Sequence, residues 1–527
     1  MTALLMASFL AFAAARSLKS LQFFQQEGFS ALDFVKFVTK GLRLVDKRLS
    51  SCVILYSLAS AYGRSRLLAC VALSAMFLIA AALHRNPLSK SRVKKRFRFT
   101  PRAAMIFSGA VAVEAFAAAR IFLYLEGDPD YSLLHVSGWL VLLIQSIPFL
   151  MILSDWAFKP VEFAVKRYCY RKAYDKMTAL SPVVIAVAGS FGKTSTKNIL
   201  QHILSSLSTS VATPRSVNTL FGLVKSIMRD LLPSHKYFIV EMGSSSVGKI
   251  ARMGRLVRHS HAILTAIGDM HYAYFKDRDS VAREKFSVFG QVKAHGGVMV
   301  VNSFQVAREY SDKYIGGYAD ALYLDERVLQ NVRVGRDGVG FTLAGRDIRA
   351  PVYGRYQAYD IALAVAMAAR LGFDIDAVVE SLKTLPPTRH RQEVLRHPLG
   401  FTLLDDAYNS NPDGFESALE TARVLAGENR VVLCTPGMLE LGGKHREGHV
   451  RAARAAAAYA DVVIAVLPER IADFTDEFQR AKKPGQLLVL AASFAAADRW
   501  LAANALSSDV VLFENDLSDS YEERIRI

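Results

Sequence analysis

Residues 182 to 204 read PVVIAVAGSFGKTSTKNILQHIL, and this stretch limits the fold more than any other. An apolar, β-branched run without polar alternation marks a strand buried on both faces, as in a parallel sheet. GSFGKTS follows, and TKNILQHILSSL then repeats its apolar residues at helical spacing. Strand, glycine loop and helix in that order make a phosphate-binding turn. Gly189, Ser190 and Gly192 let backbone N–H groups approach phosphate oxygens, and the helix N-terminus adds a favourable dipole. Lys193 is placed to reach the outer phosphates of a nucleotide, and Thr194 or Ser195 to ligate Mg²⁺. Only two residues separate the glycines, so the loop is shorter than the GxxxxGK[ST] form.

The chain has 527 residues, too long for one domain and suited to two or three. Its first third has another character. Residues 67–83, 103–125 and 133–158 are apolar, as is the N-terminal TALLMASFLAFAAARSLKS. A helix of about 20 apolar residues crosses a bilayer. Residues 1–176 are therefore expected to be a membrane anchor with three to four apolar segments, in contact with membrane lipid. Glu114 and Arg120 lie inside one segment and are expected to face another helix or to snorkel.

The net charge of +17 gathers beside these segments, in NPLSKSRVKKRFRFTPR (86–102) and KRYCYRKAYDK (166–176). The loop EGDPDYS (126–132) is acidic. Positive charge marks the cytoplasmic side, so everything after Lys159 is expected there. No helix-turn-helix, zinc or stacking motif accompanies the charge, which argues against a nucleic-acid partner. Four scattered cysteines without a CxxC argue against a disulfide framework and fit a reducing compartment.

Beyond the loop, KYFIVE ends a strand in Glu241, a hard oxygen for Mg²⁺. HAILTAIGDM leads to His271, and VAREKFSVF carries Lys285. Arg258, His259 and His261 are expected to be surface residues flanking a strand. After Pro351 the pattern restarts with GRYQAYDIALAVAMAARLGFDIDAVVESL, a helical pair. Strands and helices then alternate, which predicts a second α/β unit with a mainly parallel sheet. The expected fold is α/β: N-terminal transmembrane helices, a P-loop α/β ATPase domain over 177–351 and a C-terminal Rossmann-like α/β domain over 352–527. His445 and His449 are spaced i, i+4 but lack a zincin's acidic partner, so they are expected in a substrate-facing loop or a plain helix.

The short loop, together with VATPRSVNTLFGLVKSIM and the segments carrying Glu241, His271 and Lys285, resembles the Mur ligase family. These are the ATP-dependent enzymes that build the peptide of peptidoglycan. LLDDAYNSNPDG and GMLELG resemble most closely the D-alanyl-D-alanine-adding member, and the resemblance covers residues 180 to 527. It implies a ligase, which the apolar segments and the charge pattern place, as an expectation, at the bacterial inner membrane with its catalytic domains in the cytoplasm. ATP and Mg²⁺ would be bound by the loop, with Thr194, Glu241, His271 and Lys285 as metal ligands. A lysine ammonium only donates; carbamylated, as the family implies for Lys285, it becomes an anion. Asn218, Gln357, Arg391 and Asp406 would contact the nucleotide, Arg391 at its phosphate end and Asp406 at its ribose. Tyr408, Asn409 and Asn411 would face the incoming amine, and Lys193, Lys285, His271 and Arg391 would carry the chemistry.

Three departures bear on the substrates. Tyr356 and Gln357 stand in GRYQ where the family has GRHN. GSSSVGKI replaces a GxNHPGEI-like segment, and the apolar region stands in place of the UDP-sugar-binding domain. The acceptor carboxylate is thus muramoyl-peptide-like, lipid-linked or polyglutamate, and the amine an amino acid or dipeptide. Two alternatives to a precursor ligase are a poly-γ-glutamate-synthase-like ligase and a membrane-bound nucleotide-binding regulator that does not ligate.

Overall fold

The structure is a computed structural model that describes residues 2–26, 28–39, 47–61, 66–83, 97–127, 133–244, 246–268, 275, 277–408, 410–438 and 441–515. His271, Asn409 and most of the basic stretch 86–102 lie outside the described residues. The chain divides into two compact units between residues 165 and 166.

The first unit is helical: Thr2–Gln26, Ala31–Thr39, Lys47–Ala61, Arg66–Leu83, Pro101–Gly127 and the beginning of Leu133–Leu180. Phe9 and Phe12 of the first helix pack on Phe77 of the fourth, Phe9 edge-on at 5.3 Å, with Leu73, Phe122 and Ile144 around them. Glu114 is buried and accepts a hydrogen bond of 2.7 Å from Ser17, so it does face another helix. Among the described residues three helices are, by length and composition, long and apolar enough to cross a membrane, Ala3–Gln26, Pro101–Tyr124 and His135–Leu180. The segment at 67–83, expected as a further candidate span, forms the 18-residue helix Arg66–Leu83, within which Cys70–Leu83 is a shorter apolar stretch among the described residues.

Among the described residues the second unit holds two mainly parallel sheets and a small antiparallel one. The first contains β1 (Val183–Ala188), β2 (Ser210–Ala212), β3 (Tyr237–Met242), β4 (His261–Leu264), β5 (Met299–Asn302) and β6 (Ala321–Leu324), in the order β2-β3-β1-β4-β5-β6. Every neighbouring pair is parallel. Residues of β1 alternate between two cores: Val184, Ala186 and Ala188 enter one, Ile185 and Val187 the other. That double burial is why β1 reads as an unbroken apolar run. One core is closed by Ala173 and Met177 from the end of the helix Leu133–Leu180. The other is closed by Ala358, Ile361, Leu363 and Val365 of the helix Arg355–Arg370. An antiparallel ribbon of β7 (Leu329–Gly335), β8 (Gly338–Leu343) and β9 (Arg346–Ala350) packs on this second core.

The second sheet contains β10 (Glu393–Arg396), β11 (Thr402–Asp406), β12 (Val431–Thr435), β13 (Val462–Val466), β14 (Leu487–Ala491) and β15 (Val510–Glu514). Its order is β10-β11-β15-β12-β13-β14, with β10 antiparallel and the rest parallel, as the alternation of strands and helices predicts. β15 returns between β11 and β12, so the carboxyl ends of β11 and β15 lie side by side.

Candidate active site

Chain order reverses on either side of β1, and open parallel sheets bind ligands at the carboxyl ends of strands at such a point. The glycine loop sits there. Gly189 has φ 148°, and a Cβ on it would run into Thr265 Oγ1 and lie 2.9 Å from the Ala266 nitrogen. Gly192 has φ 79° and caps the helix Lys193–Leu207, and a Cβ on it would lie 2.6 Å from Asp360 Oδ1. Both positions therefore need glycine. Ser190 ties the loop to β4: its N–H donates to the Ala266 carbonyl at 2.8 Å, and its hydroxyl accepts from Gly268 N–H at 3.1 Å. Lys193 folds back on the loop, donating to the carbonyls of Gly189 (2.8 Å) and Ser190 (2.7 Å). Burial lowers its pKa to about 8; Glu241 opposes the shift and Arg391 adds to it. A phosphate group at the loop would supply the counter-charge this ammonium lacks.

Beneath Lys193, Glu241 at the end of β3 is fully enclosed. Its Oε2 accepts from Thr194 Oγ1 at 2.9 Å and from Lys197 Nζ at 3.4 Å, and its Oε1 from Asn218 Nδ2 at 3.1 Å. Lys197 also donates to the Arg215 carbonyl. A hydroxyl and a carboxylate side by side, next to a phosphate loop, form a donor set suited to a hard cation such as Mg²⁺. Asn218, expected at the nucleotide, is bonded to Glu241. Lys197 was not among the residues singled out. The available signal was its place four residues after Lys193, one helical turn on and so on the same face.

Lys285 is buried in the helix Arg278–Phe286 and donates to the Ser244 carbonyl at 3.0 Å. Burial first, and then the charge of Lys193, lower its pKa to about 7. Its neighbour Glu284 accepts from the N–H groups of Gly248 (2.5 Å) and Ile250 (2.9 Å), and so caps the helix Lys249–Val257. His259 corrects its surface reading: it is buried, its Nε2 donates to the Val288 carbonyl at 2.6 Å, and burial lowers its pKa to about 4. His449 is a buried residue of the helix His445–Tyr459, where its Nε2 accepts from Met438 N–H at 3.1 Å.

A cavity of about 90 Å³ joins this loop to the second sheet. Gly192, Thr194, Ser195, Gln357 and Asp360 line one side, and Arg391, Asp406, Asn411 and Glu514 the other. Phe191 and Tyr356 form an aromatic wall, their rings 6.3 Å apart, with Tyr359 5.7 Å beyond Tyr356. Asp360 Oδ1 accepts from Thr196 Oγ1 at 2.8 Å, and burial raises its pKa to about 7. Arg391 lies between two residues in the left-handed region, His390 (φ 57°) and Gln392 (φ 50°), and its guanidinium sits 4.5 Å from the centre of the Tyr408 ring. The His390 ring pins this turn to Asp405 at 2.7 Å. Asn411 lines the cavity while its side chain also accepts from Gly414 N–H at 3.0 Å and caps the helix Pro412–Ala426. Asp406 and Glu514 are both buried. Burial raises Asp406 to about 7 and Glu514 well above the usual carboxylate range, and the Asp406 charge pushes Glu514 further. A second cavity, of about 330 Å³, shares Phe191, Gln305 and Asn411 with the first and adds Arg278, Lys444 and Arg451.

Residues 187–368 match the Mur ligase middle domain, and residues 390–514 the Mur ligase, glutamate ligase domain. Over 281 residues the chain is 26% identical to the UDP-N-acetylmuramoyl-tripeptide–D-alanyl-D-alanine ligase of Bacillus subtilis, covering 53% of this chain and 60% of that protein. Over 264 residues it is 29% identical to the ligase of the same name from Mycobacterium tuberculosis H37Rv, covering 46% of this chain and 49% of that one. The matches thus span about half to three-fifths of these relatives' lengths. The structure of MurF from Thermotoga maritima in complex with ADP shares the fold, with a TM-score of 0.57 at 22% identity over 68% of this chain and 82% of that one.

Proposed function

We propose that this chain, a member of the Mur ligase family through residues 187–368 and 390–514, is an ATP-dependent ligase that joins a carboxylate to an amine in peptidoglycan-precursor synthesis. The observation that carries the reading is the enclosure of Glu241 by Thr194, Asn218 and Lys197 directly beneath the loop lysine. A carboxylate so held beside a phosphate loop suits a metal–nucleotide complex and little else.

In this reading ATP lies in the cleft with its phosphates on the loop and its ribose at Asp406. A carboxylate oxygen of the acceptor attacks the γ-phosphorus, the bridging P–O bond breaks, and ADP leaves. The amine nitrogen then attacks the acyl carbon of the resulting acyl phosphate. Its C–O bond breaks, phosphate leaves, and the amine proton passes to base or solvent. Lys193 and Arg391 hold charge that gathers on the transferring group. Mg²⁺ bound by Thr194 and Glu241 would add positive charge at the same oxygens. Lys285 is a candidate for carbamylation, because that reaction needs a neutral amine and its pKa is lowered to about 7. His271 is proposed as a further metal ligand, and Tyr408, Asn409 and Asn411 as the surface facing the amine.

The names of the curated relatives point to a UDP-muramoyl-tripeptide acceptor and D-alanyl-D-alanine as amine. A lipid-linked acceptor is a second reading, favoured by the apolar helices of the first unit. Phe116, Leu142 and Trp156 on those helices are 71%, 61% and 56% exposed, which suits lipid around them. The same helices support a place at the inner membrane with the ligase domains on the cytoplasmic side.

The test is phosphate release from ATP by the full chain in detergent, with UDP-muramoyl-tripeptide, lipid-linked peptide or polyglutamate, each with and without D-alanyl-D-alanine. Release that needs both an acceptor and the amine, and that is lost in Lys193→Ala, is the expected result. Nucleotide binding without turnover on any pair would favour a non-ligating regulator.

A further inference from the structure

We propose that Glu514 is a second carboxylate on the ribose of the nucleotide, beside Asp406, and that the two together select ribonucleotides. The inference rests on the reading of the cleft as an ATP site with Asp406 at the ribose.

Asp406 and Glu514 are register partners at the carboxyl ends of the adjacent parallel strands β11 and β15. Partners in register present their side chains to the same face, about 4.8 Å apart. Both line the cavity, and Glu514 is only 1% exposed. Its Oε1 accepts from Ser410 Oγ at 2.5 Å, whereas its Oε2 is buried with no partner among the described residues. Gln392 Oε1, on the same wall, is likewise buried and unpartnered, while the N–H groups of Gln392 already serve Asp406. Buried acceptors left in this state call for a donor.

The occupant must therefore bring hydrogen-bond donors to a wall of acceptors. An ammonium and a diol both do so. Arg391 lines the same cavity and already acts electrostatically on both carboxylates. Burial holds both carboxyls above the usual range; a hydroxyl pairs with a carboxyl in either protonation state, whereas an ammonium needs the ionised one. A cis-diol offers two O–H donors to two neighbouring carboxylates, one each. Glu514 is not legible beside Asp406 in the sequence, because it ends an apolar strand more than a hundred residues further on and only the fold brings the two together.

The experiment measures binding of ATP, 2′-deoxyATP and 3′-deoxyATP with Mg²⁺ to the full chain in detergent. The proteins are the unmodified chain, Glu514→Ala, Glu514→Gln and Asp406→Asn. Each lost hydroxyl is expected to weaken binding to the unmodified chain about tenfold or more. Glu514→Ala should erase the discrimination against one deoxy analogue and keep that against the other. Asp406→Asn should do the converse, and Glu514→Gln should fall between. Should Glu514→Ala fail to fold, Glu514→Gln, which keeps the shape, carries the same comparison. Unchanged discrimination against both analogues in the Glu514 variants would overturn the proposal, as would an effect confined to the KM for the amine. ATP binding no tighter than in Lys193→Ala would overturn the nucleotide site itself, and this assignment with it.

Discussion

Thr194 Oγ1 lies 2.9 Å from Oε2 of Glu241, across the gap between the helix that follows the glycine loop and the end of β3. Neither oxygen would be held so close to the other without the sheet order that puts β3 next to β1. Asn218 fixes the other carboxylate oxygen at 3.1 Å. Loss of such an orienting partner lowers metal affinity by about tenfold to a hundredfold. Asn218→Ala should therefore raise the Mg²⁺ concentration for half-maximal phosphate release by about that factor, with turnover at saturating Mg²⁺ largely kept. Glu241→Ala should lose turnover at every Mg²⁺ concentration. A titration of rate against Mg²⁺ separates the two, and an unchanged curve for Asn218→Ala would place the metal elsewhere.

Lys197 is the buried counter-charge of Glu241, with side-chain exposures of 0% and 1%. Removing one member of a buried pair leaves the other uncompensated and costs about 3–5 kcal/mol. Lys197→Met is expected to lose stability of that order without metal. Mg²⁺ would then take the place of the lost ammonium beside Glu241, and a ligand that binds only the folded state stabilises it by mass action. Melting curves with and without Mg²⁺ should show a larger rise for Lys197→Met than for the unmodified chain. Equal rises would mean that the ammonium and the metal do not share this carboxylate.

The central strand and the loop were legible because their constraints are local. β1 must be apolar throughout to be buried on both faces, and the loop must carry glycine where a Cβ would strike Thr265 or Asp360. Lys197 was hidden because a lysine in a helix reads as surface; it is enclosed only because β3 and the Arg215 turn close over it. His259 was misread for the same reason, since only tertiary packing supplies the Val288 carbonyl. The helix expected to end its apolar run at residue 158 continues to Leu180. Lysine and arginine are good helix formers, so a change from apolar to basic residues ends an apolar segment without ending a helix.

Lys285 gives stability a pH dependence with a definite sign. Its folded pKa is lowered from 10.5 to about 7 by burial. Between those values the unfolded chain holds the proton and the folded chain does not, so its contribution to stability grows as pH rises through that window. Below about 7 both states are protonated and the dependence vanishes. Lys193, lowered to about 8, acts with the same sign over a narrower range. Lys285→Met should remove part of the slope and leave the protein more stable near neutral pH. Urea midpoints across the window, compared between the two proteins, test this. Parallel slopes would show that the amine is charged in the fold.

Gly192 tests the loop without removing an ionisable group. Its φ of 79° is strained for any side chain, and a Cβ would come within 2.6 Å of Asp360 Oδ1. That oxygen also holds Thr196 at 2.8 Å, so it has little freedom to move. Gly192→Ala should cost about 1–3 kcal/mol from the backbone alone. It should also weaken ATP binding more than the binding of the amine, since the displaced groups belong to the nucleotide cleft. A variant that binds ATP as tightly as the unmodified chain would remove the loop from the nucleotide site.

The first unit predicts how the chain partitions in a cell. Among the described residues three of its helices have the length and composition to cross a bilayer, and aromatic side chains such as Phe116, Phe149 and Trp156 are more than half exposed on them. A helix-spanning protein stays with the membrane because each span transfers some 20 apolar residues into hydrocarbon. A protein held only by charge leaves when salt screens the attraction. The basic stretches beside the helices make both modes conceivable, and they separate cleanly by extraction. The full chain should remain in the membrane pellet through washes with concentrated salt and with alkaline carbonate, and should enter solution only with detergent. Release by salt would reduce the helices to a surface contact, and the membrane-held acceptor reading would lose its support.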